Sequence, residues 1–186
     1  QRMGAQATGV DLSDEAIKRA NQLVERTGLD SKFVCCDIYS LPEHLNQQFD
    51  IVFTSYGTIG WLPDIKKWAG IVKRYLKPGG KFVMVDFHPV LWMLDEEEMR
   101  HVKYRYFNDA AIVDEKDHSY AGSDVDGGIQ SVSWNHSLSE LLGALLDSGL
   151  TVDHFGEYDY SCYDCFPNMV QLENGMYRHK DIGNMI

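Results

Sequence analysis

Short strand-forming runs alternate with amphipathic helical segments through the first 88 residues, and this alternation limits the possible folds more than any other feature of the chain. Ser13 precedes the first helical segment as an N-cap, and Gly28 follows it where a left-handed residue ends a helix. The strand-forming runs lie at 7–11, 32–36, 49–55 and 81–87, and the helical segments at about 14–27 and 64–76. Such alternation with short links predicts an α/β fold with a doubly wound, mostly parallel sheet.

The size and charge of the chain disfavour several classes of partner. Its 186 residues suffice for one sizeable core, and the net charge is −11, from 17 basic and 28 acidic residues. Nucleic acids and anionic membranes bind basic surfaces, which this chain lacks. No apolar run reaches the roughly 18 residues of a membrane helix, and the first residues lack the apolar core of a signal peptide. We therefore predict a cytoplasmic protein with a small-molecule partner and neither a nucleic-acid nor a membrane partner.

The rhythm of strands and helices breaks after residue 87. Residues 88–134 are acidic and aromatic, and they predict an insertion that contains a hairpin and covers the sheet as a lid. A helix then resumes, because Ser137 and Glu140 form a capping box before a leucine-rich face. Residues 150–155 predict a late strand after Gly149.

The four cysteines do not predict a metal site. Cys35 and Cys36 are adjacent on a predicted strand, so their side chains point to opposite faces. Cys162 and Cys165 have the spacing of half a zinc site or of a redox motif, but no second such pair occurs. Packing is therefore the predicted role of these thiols.

Polar residues stand at the carboxyl ends of three predicted strands. Asp11 ends the first run, Asp37 follows the second, and Thr54 and Ser55 end the third. Ligands of doubly wound sheets bind at this edge, where a carboxylate accepts from ribose hydroxyls or from an exocyclic amine. An aspartate after a strand is alternatively a turn or cap residue.

Four motifs agree in order and spacing. They are Gly9-Val10-Asp11-Leu12-Ser13, Cys36-Asp37-Ile38 with Leu41-Pro42, Phe49-Asp50-Ile51-Val52, and Leu76-Lys77-Pro78-Gly79-Gly80. Over about residues 5–88 the chain resembles the class I S-adenosylmethionine-dependent methyltransferases, from their second strand to their fifth. Residues 134–138 and 164–169 resemble later motifs of a bacterial, small-molecule methyltransferase-like branch of that family.

The resemblance implies a Rossmann-like enzyme that transfers a methyl group from S-adenosylmethionine to a small-molecule acceptor and releases S-adenosylhomocysteine. It implies that Asp11 holds the ribose hydroxyls, that Leu12 packs on the adenine, and that Asp37 accepts from the adenine amino group beside Ile38. The implied neighbours of the methionine end are Thr54, Ser55 and Tyr56.

Two histidines are candidates for catalysis by proton transfer. His88 lies just past the fourth predicted strand, and His136 precedes a helix; imidazole titrates near neutral pH. Each is alternatively a hydrogen-bonded loop residue. Trp92, Trp134 and Tyr160 are candidates for an aromatic pocket, with core packing as the alternative.

Two other functions remain open. A nicotinamide-dependent Rossmann oxidoreductase also places an acidic residue after a strand to hold a ribose, although Asp37 and the Lys-Pro-Gly-Gly segment favour the methyltransferase. The other alternative is a non-catalytic S-adenosylmethionine-binding module.

The family's first strand and its glycine-rich loop have no counterpart in these residues. We therefore expect residues 1–186 to form a single domain that is truncated at both ends. The missing first strand is expected between the strands at 7–11 and 49–55, and a last, antiparallel strand is expected beside 81–87.

Overall fold

The computed structural model describes residues 1–118 and 124–181. The strands in these ranges are β1 (Thr8–Asp11), β2 (Lys32–Cys35), β3 (Phe49–Ser55), β4 (Leu76–Val85), β5 (Ile112–His118), β6 (Asp124–Ser133), β7 (Met169–Gln171) and β8 (Tyr177–His179). The helices are α1 (Asp14–Thr27), α2 (Leu41–His44), α3 (Ile65–Tyr75) and α4 (Leu138–Asp147). None of these helices is both long enough and apolar enough to cross a membrane.

Local capping chemistry fixes the two helices that the sequence marks most clearly. The Ser13 hydroxyl accepts the Ala16 N–H at 3.2 Å, and Gly28 ends α1 at a φ of 65°. The Ser137 hydroxyl accepts the Glu140 N–H at 3.2 Å at the start of α4. Both predicted N-caps are thus confirmed, because each side-chain oxygen satisfies a donor that the helix leaves without a partner.

The strands form pairs. β1 and β2 are parallel, with Thr8 opposite Lys32 and Asp11 opposite Cys35. β3 pairs with β4, and two antiparallel hairpins join β5 to β6 and β7 to β8. The parallel β1–β2 pair and the hairpin within 88–134 agree with the sequence. The strand expected between β1 and β3 stays a prediction.

Internal contacts divide the chain into two compact units. Unit 1 consists of Gln1–Val52 and Lys67–Phe82, and unit 2 of Phe53–Lys66 and Val83–Ile186. The division differs from the predicted one, in which residues 88–134 alone form an insertion; the prediction of a single domain with a lid stays untested.

The core of unit 1 lies where α2 and α3 cover the parallel strands. Its buried members are Cys36, Leu41, Ile71 and Tyr75, against which Val10, Val34 and Val52 pack. The Tyr75 hydroxyl donates to the Leu45 carbonyl at 2.8 Å, so its polar end is satisfied inside the apolar cluster. Earlier in α3, the rings of Trp68 and Phe82 pack edge to face with their centroids 5.6 Å apart.

Unit 2 contains two apolar groupings. Leu94 and Met99 are buried, and the partly buried Leu91 and Phe166 pack against them. Helix α4 buries one face, with spacing of three and four residues at Leu141, Ala144 and Leu145. The late strand predicted at residues 150–155 is wrong, since that stretch has no strand structure and is almost wholly exposed.

The β3–β4 pair is covered on one face within the described residues. Val52 and Phe82 pack inward, whereas Ile51 and Phe53 on β3 are 63% and 55% exposed, and Val83 and Val85 on β4 are each 43% exposed. Side chains of alternate residues share a face, so Ile51 and Phe53 lie on one face of β3, and Val83 and Val85 on one face of β4. Successive apolar residues at Ile51, Val52 and Phe53 are typical of a strand that is covered on both faces, and the described residues supply only one of those covers.

Strand β4 begins earlier than its sequence suggests. The helix stops at Tyr75, close to its predicted end, but the strand already includes the Lys-Pro-Gly-Gly segment, which precedes the strand-forming run predicted at 81–87. Gly79 has a φ of 77°, and a Cβ on Gly80 would lie 3.0 Å from the Lys77 carbonyl oxygen and 3.1 Å from those of Phe49 and Asp50. The second glycine is therefore required by close approach of backbone rather than by turn geometry.

We predict that Gly80→Ala lowers the free energy of unfolding by about 1–3 kcal/mol, because three backbone carbonyls must move to admit the methyl group. Gly70→Ala is the matched control. Gly70 lies inside α3 with open space around its Cα, so the change should stabilise the helix by about 0.5–1 kcal/mol. Denaturant unfolding measures both, and a Gly80→Ala protein as stable as the parent would contradict this account of β4.

Candidate functional site

The carboxylate that ends β1 turns back onto the chain that follows it. Asp11 Oδ1 accepts the Ser13 N–H at 2.8 Å, and the Asp11 carbonyl accepts the Cys36 N–H at 3.0 Å, one residue beyond the β2 strand. The side chain is exposed, and its Oδ2 accepts no hydrogen bond from any described residue. Leu12 beside it is 71% exposed. The end of β1 thus presents a carboxylate oxygen next to an apolar side chain.

Asp37 repeats this arrangement at the end of β2. Its Oδ1 accepts the Tyr39 N–H at 2.6 Å and caps a 3₁₀ turn at Ile38–Ser40, and its carbonyl accepts the Ser40 hydroxyl at 2.9 Å. The Asp37 side chain is exposed, while Ile38 packs partly against the core of unit 1. Since β1 and β2 are parallel with Asp11 opposite Cys35, both carboxylates lie at one edge of the pair. This edge of unit 1 can accept hydrogen bonds from hydroxyls and an amine.

In unit 2, β3 ends at Ser55, and the predicted residues Thr54, Ser55 and Tyr56 lead into a tight loop. Thr54 and Ser55 are half-buried, and the Ser55 carbonyl accepts the Thr58 hydroxyl at 2.8 Å. Tyr56 has a φ of 52° and its N–H donates to the Val85 carbonyl at 2.6 Å, so the backbone turns sharply there. The Tyr56 side chain is 51% exposed.

Asp86, which the sequence reasoning did not single out, holds this loop. Its Oδ2 accepts the N–H groups of Thr58 and Ile59, each at 3.1 Å, and its Oδ1 accepts the Phe87 N–H at 2.8 Å. Burial raises the pKa of the Asp86 carboxyl, and the backbone donors, Gly57 included, oppose that rise. The strand-forming run predicted at 81–87 includes Asp86, whereas β4 ends at Val85 and Asp86 directly follows it.

His88 follows Asp86 and Phe87 and is paired with a residue far along the chain. Its Nε2 lies 2.6 Å from Glu157 Oε1, and its Nδ1 accepts the Val90 N–H at 3.2 Å. Because Nδ1 accepts, Nε2 carries the hydrogen that is shared with Glu157. The Glu157 side chain is 55% exposed. No local pattern in the sequence marks Glu157 as a partner of His88.

His136 is buried at the start of α4 and makes different contacts. Its Nε2 donates to the Leu62 carbonyl at 2.7 Å, since a carbonyl oxygen can only accept. Its Nδ1 lies 3.1 Å from Glu140 Oε1, at ion-pair distance but without hydrogen-bond geometry. These contacts join α4 to the 3₁₀ turn Ile59–Trp61. A catalytic role for His136 stays a prediction, and its contacts favour a role in positioning.

The three aromatic residues that are candidates for a pocket make contacts with different partners. Trp92 joins a cluster around Phe87, whose ring centroid lies 5.5 Å from that of Trp92, 6.3 Å from Tyr163 and 5.1 Å from Phe166. Tyr160 instead contacts Tyr158 at 5.4 Å. The Trp134 N–H donates to the Gly60 carbonyl at 2.8 Å. No ring contact joins Trp92, Trp134 and Tyr160 within the described part of the chain.

The described thiols are all free. Cys162 is exposed, and burial raises the pKa of the Cys165 thiol, which donates to the Ser161 hydroxyl at 3.4 Å. A thiol with a raised pKa is a weak nucleophile and metal ligand. Among residues 1–118 and 124–181, no group of three or more His, Cys, Asp or Glu side chains is arranged to share a metal ion.

The acidic run of the predicted lid lines an open cavity of about 460 Å³ within residues 95–114. Asp95 at its wall accepts the N–H groups of Glu98, Arg100 and His101 at 2.7–3.1 Å. These donors hold the pKa of the Asp95 carboxyl well below its ordinary value. The Asp95 carboxylate therefore organises its own loop.

Comparison with known proteins shows what the chain is similar to. Residues 1–142 match a family model described as a methyltransferase domain. A stretch of 101 residues, 53% of the chain, is 32% identical to the ubiquinone biosynthesis O-methyltransferase of Idiomarina loihiensis. Another of 86 residues, 46% of the chain, is 31% identical to the demethylmenaquinone methyltransferase of Thermus thermophilus. The chain spans only 41% and 38% of the lengths of these two relatives.

The fold is similar to that of a solved methyltransferase. The crystal structure of an S-adenosylmethionine-dependent methyltransferase from Clostridium acetobutylicum matches 93% of this chain and 74% of its own, with a TM-score of 0.56 and 18% identity. This likeness confirms the predicted α/β, Rossmann-like fold.

Proposed function

Because the chain belongs to the class I S-adenosylmethionine-dependent methyltransferases, we propose that the whole protein transfers a methyl group from S-adenosylmethionine to a small-molecule acceptor. The observation that carries this proposal is the edge of unit 1, where two exposed carboxylates end neighbouring parallel strands. The names of the two relatives, which refer to ubiquinone biosynthesis and to demethylmenaquinone, support a small-molecule acceptor.

The residues at this edge fit an adenosine moiety. Asp11 uses one oxygen for the Ser13 N–H and leaves Oδ2 to accept from ribose hydroxyls. Asp37 likewise uses Oδ1 for the Tyr39 N–H, so its second oxygen is available to the adenine amino group. The exposed Leu12 and the partly exposed Ile38 supply apolar surface for the ring. The hydrogen bonds that hold the two turns thus leave one carboxylate oxygen of each aspartate available to the ligand.

In unit 2 we propose that Thr54, Ser55 and Tyr56 border the methionine end. When bound, the cofactor supplies a methyl group on a sulfonium, which is already activated for displacement. The protein's task is then to align the acceptor and to exclude competing water. For residues 88–134 we propose the role of a lid, which the contact of β6 with the 3₁₀ turn after β3 supports.

The pair formed by His88 and Glu157 is our candidate for moving the acceptor's proton. Both nitrogens of His88 already have partners, so the atom available for a proton is the second carboxylate oxygen of Glu157. His88 orients that carboxylate through the 2.6 Å contact. In this proposal the second oxygen of the Glu157 carboxylate accepts the proton and the carboxylate becomes neutral, while the Nε2–H of His88 holds the first oxygen in place. For His136 we propose the positioning role described above.

We predict that Asp11→Ala weakens binding of S-adenosylhomocysteine by the intact protein by about 1–3 kcal/mol, through the loss of charge-assisted hydrogen bonds. Calorimetry measures the affinity, and Asp30→Ala, another exposed aspartate near the sheet, is the matched control. NAD should not bind to the parent protein. An unchanged affinity in Asp11→Ala would remove Asp11 from the site, and binding of NAD in place of S-adenosylhomocysteine would favour an oxidoreductase.

We predict that Glu157→Gln lowers methyl transfer by about a hundredfold or more while S-adenosylhomocysteine affinity is unchanged, because a general base is lost. His88→Ala should also lower methyl transfer. His136→Ala should instead lower the free energy of unfolding by about 1–3 kcal/mol, since it removes a buried donor from the Leu62 carbonyl. Transfer of labelled methyl to a panel of small acceptors, with denaturant unfolding, separates these effects. Full turnover in Glu157→Gln would refute the proton-transfer role.

A further inference from the structure

The loop that follows β3 holds two successive residues in the left-handed region. Tyr56 has a φ of 52° and Gly57 a φ of 92°. Glycine adopts this conformation without strain, but tyrosine does not, and a residue with a Cβ stays there only when its surroundings impose it. The same loop carries the Tyr56 side chain, which the proposed function assigns to the methionine end of the cofactor.

The Asp86 carboxylate imposes this conformation. The N–H groups of Gly57, Thr58 and Ile59 converge on it, those of Thr58 and Ile59 each at 3.1 Å from Oδ2. Successive N–H groups that point into one concavity form a nest for an anion, and here the anion is a side chain of the protein. The other oxygen accepts the Phe87 N–H at 2.8 Å. One carboxylate therefore fixes both the loop after β3 and the end of β4.

Aromatic packing closes the other side of the loop. A Cβ on Gly57 would lie 3.2 Å from the Phe87 ring, so the ring is in contact with the backbone there. Phe87 also packs against Tyr163, at 6.3 Å between ring centroids. The loop is held between the half-buried Asp86 carboxylate and the Phe87 ring.

We infer that Asp86 is a positioning residue for the amino-acid end of the cofactor. It does not touch the ligand; it fixes the backbone from Tyr56 to Ile59, and through it the surface that Thr54, Ser55 and Tyr56 present. This inference rests on the proposed function.

Two ligands test the inference in the intact protein. S-adenosylhomocysteine carries the amino-acid end, and 5′-methylthioadenosine has the same adenosine without it. Asp86→Ala should weaken binding of S-adenosylhomocysteine about tenfold, or ~1.4 kcal/mol, and that of 5′-methylthioadenosine by less than about twofold. Asp86→Asn keeps one oxygen acceptor for the loop and should recover part of the loss. Asp50→Ala, whose exposed carboxylate pairs with Lys77 at 2.8 Å, should leave both affinities unchanged.

Equal losses for the two ligands, or no loss for either, would overturn the inference. If Asp86→Ala does not fold, the affinities of Asp86→Asn for the two ligands decide the question. A loss confined to S-adenosylhomocysteine supports the inference. An equal loss for both ligands, or no loss, refutes it. Failure of the parent protein to bind S-adenosylhomocysteine would refute the proposed function itself, an outcome distinct from the other two.

Discussion

The structure depends on how backbone N–H groups are satisfied where its strands end. Beyond the last residue of a strand the ladder no longer supplies acceptors, and the chain must turn into the next element. At three of these ends an aspartate provides the acceptor: Asp11 for Ser13, Asp37 for Tyr39, and Asp86 for the loop from Gly57 to Ile59. The turns that bring functional groups to the edges of the strands rest on these contacts.

The three carboxylates differ in how deeply they are buried, and their roles differ accordingly. Asp11 and Asp37 are exposed and each accepts one backbone N–H with one oxygen, so a second oxygen is available to a ligand. Asp86 is more deeply buried, accepts several N–H groups and has a raised pKa. Its capacity as an acceptor is used within the protein. The same residue type at the ends of strands therefore offers an unused oxygen in unit 1, where we propose that it binds the cofactor, and fixes a loop in unit 2.

The parts of the fold that local chemistry encodes could be predicted. Ser13 and Ser137 cap helices because a hydroxyl there accepts an N–H three residues on, and this depends only on neighbours in sequence. Residues 150–155 have the composition of a strand, but the described chain offers them no partner strand. The β7–β8 hairpin was missed, although Asn174-Gly175 between its strands is a recognised hairpin signal.

The sequence marks candidate site residues where they follow strands, and it does not mark those that meet across the chain. Asp11 and Asp37 have a spacing that the family shares, whereas Glu157 reaches His88 over 69 residues with no pattern to mark it. Asp86 lies inside the strand-forming run predicted at 81–87, and only the structure places it just beyond the end of β4. What Asp86 binds is a backbone loop, and backbone donors have no sequence signature.

We propose that the exposed carboxylates at the ends of β1 and β2 receive the adenosine part of the cofactor. A crystal structure of the intact protein with S-adenosylhomocysteine tests it most directly. We expect the Asp11 carboxylate at about 3 Å from the ribose hydroxyls and the Asp37 carboxylate at about 3 Å from the adenine amino group. A ligand bound elsewhere, with Asp11 and Asp37 contacting only Ser13 and Tyr39, would contradict the account.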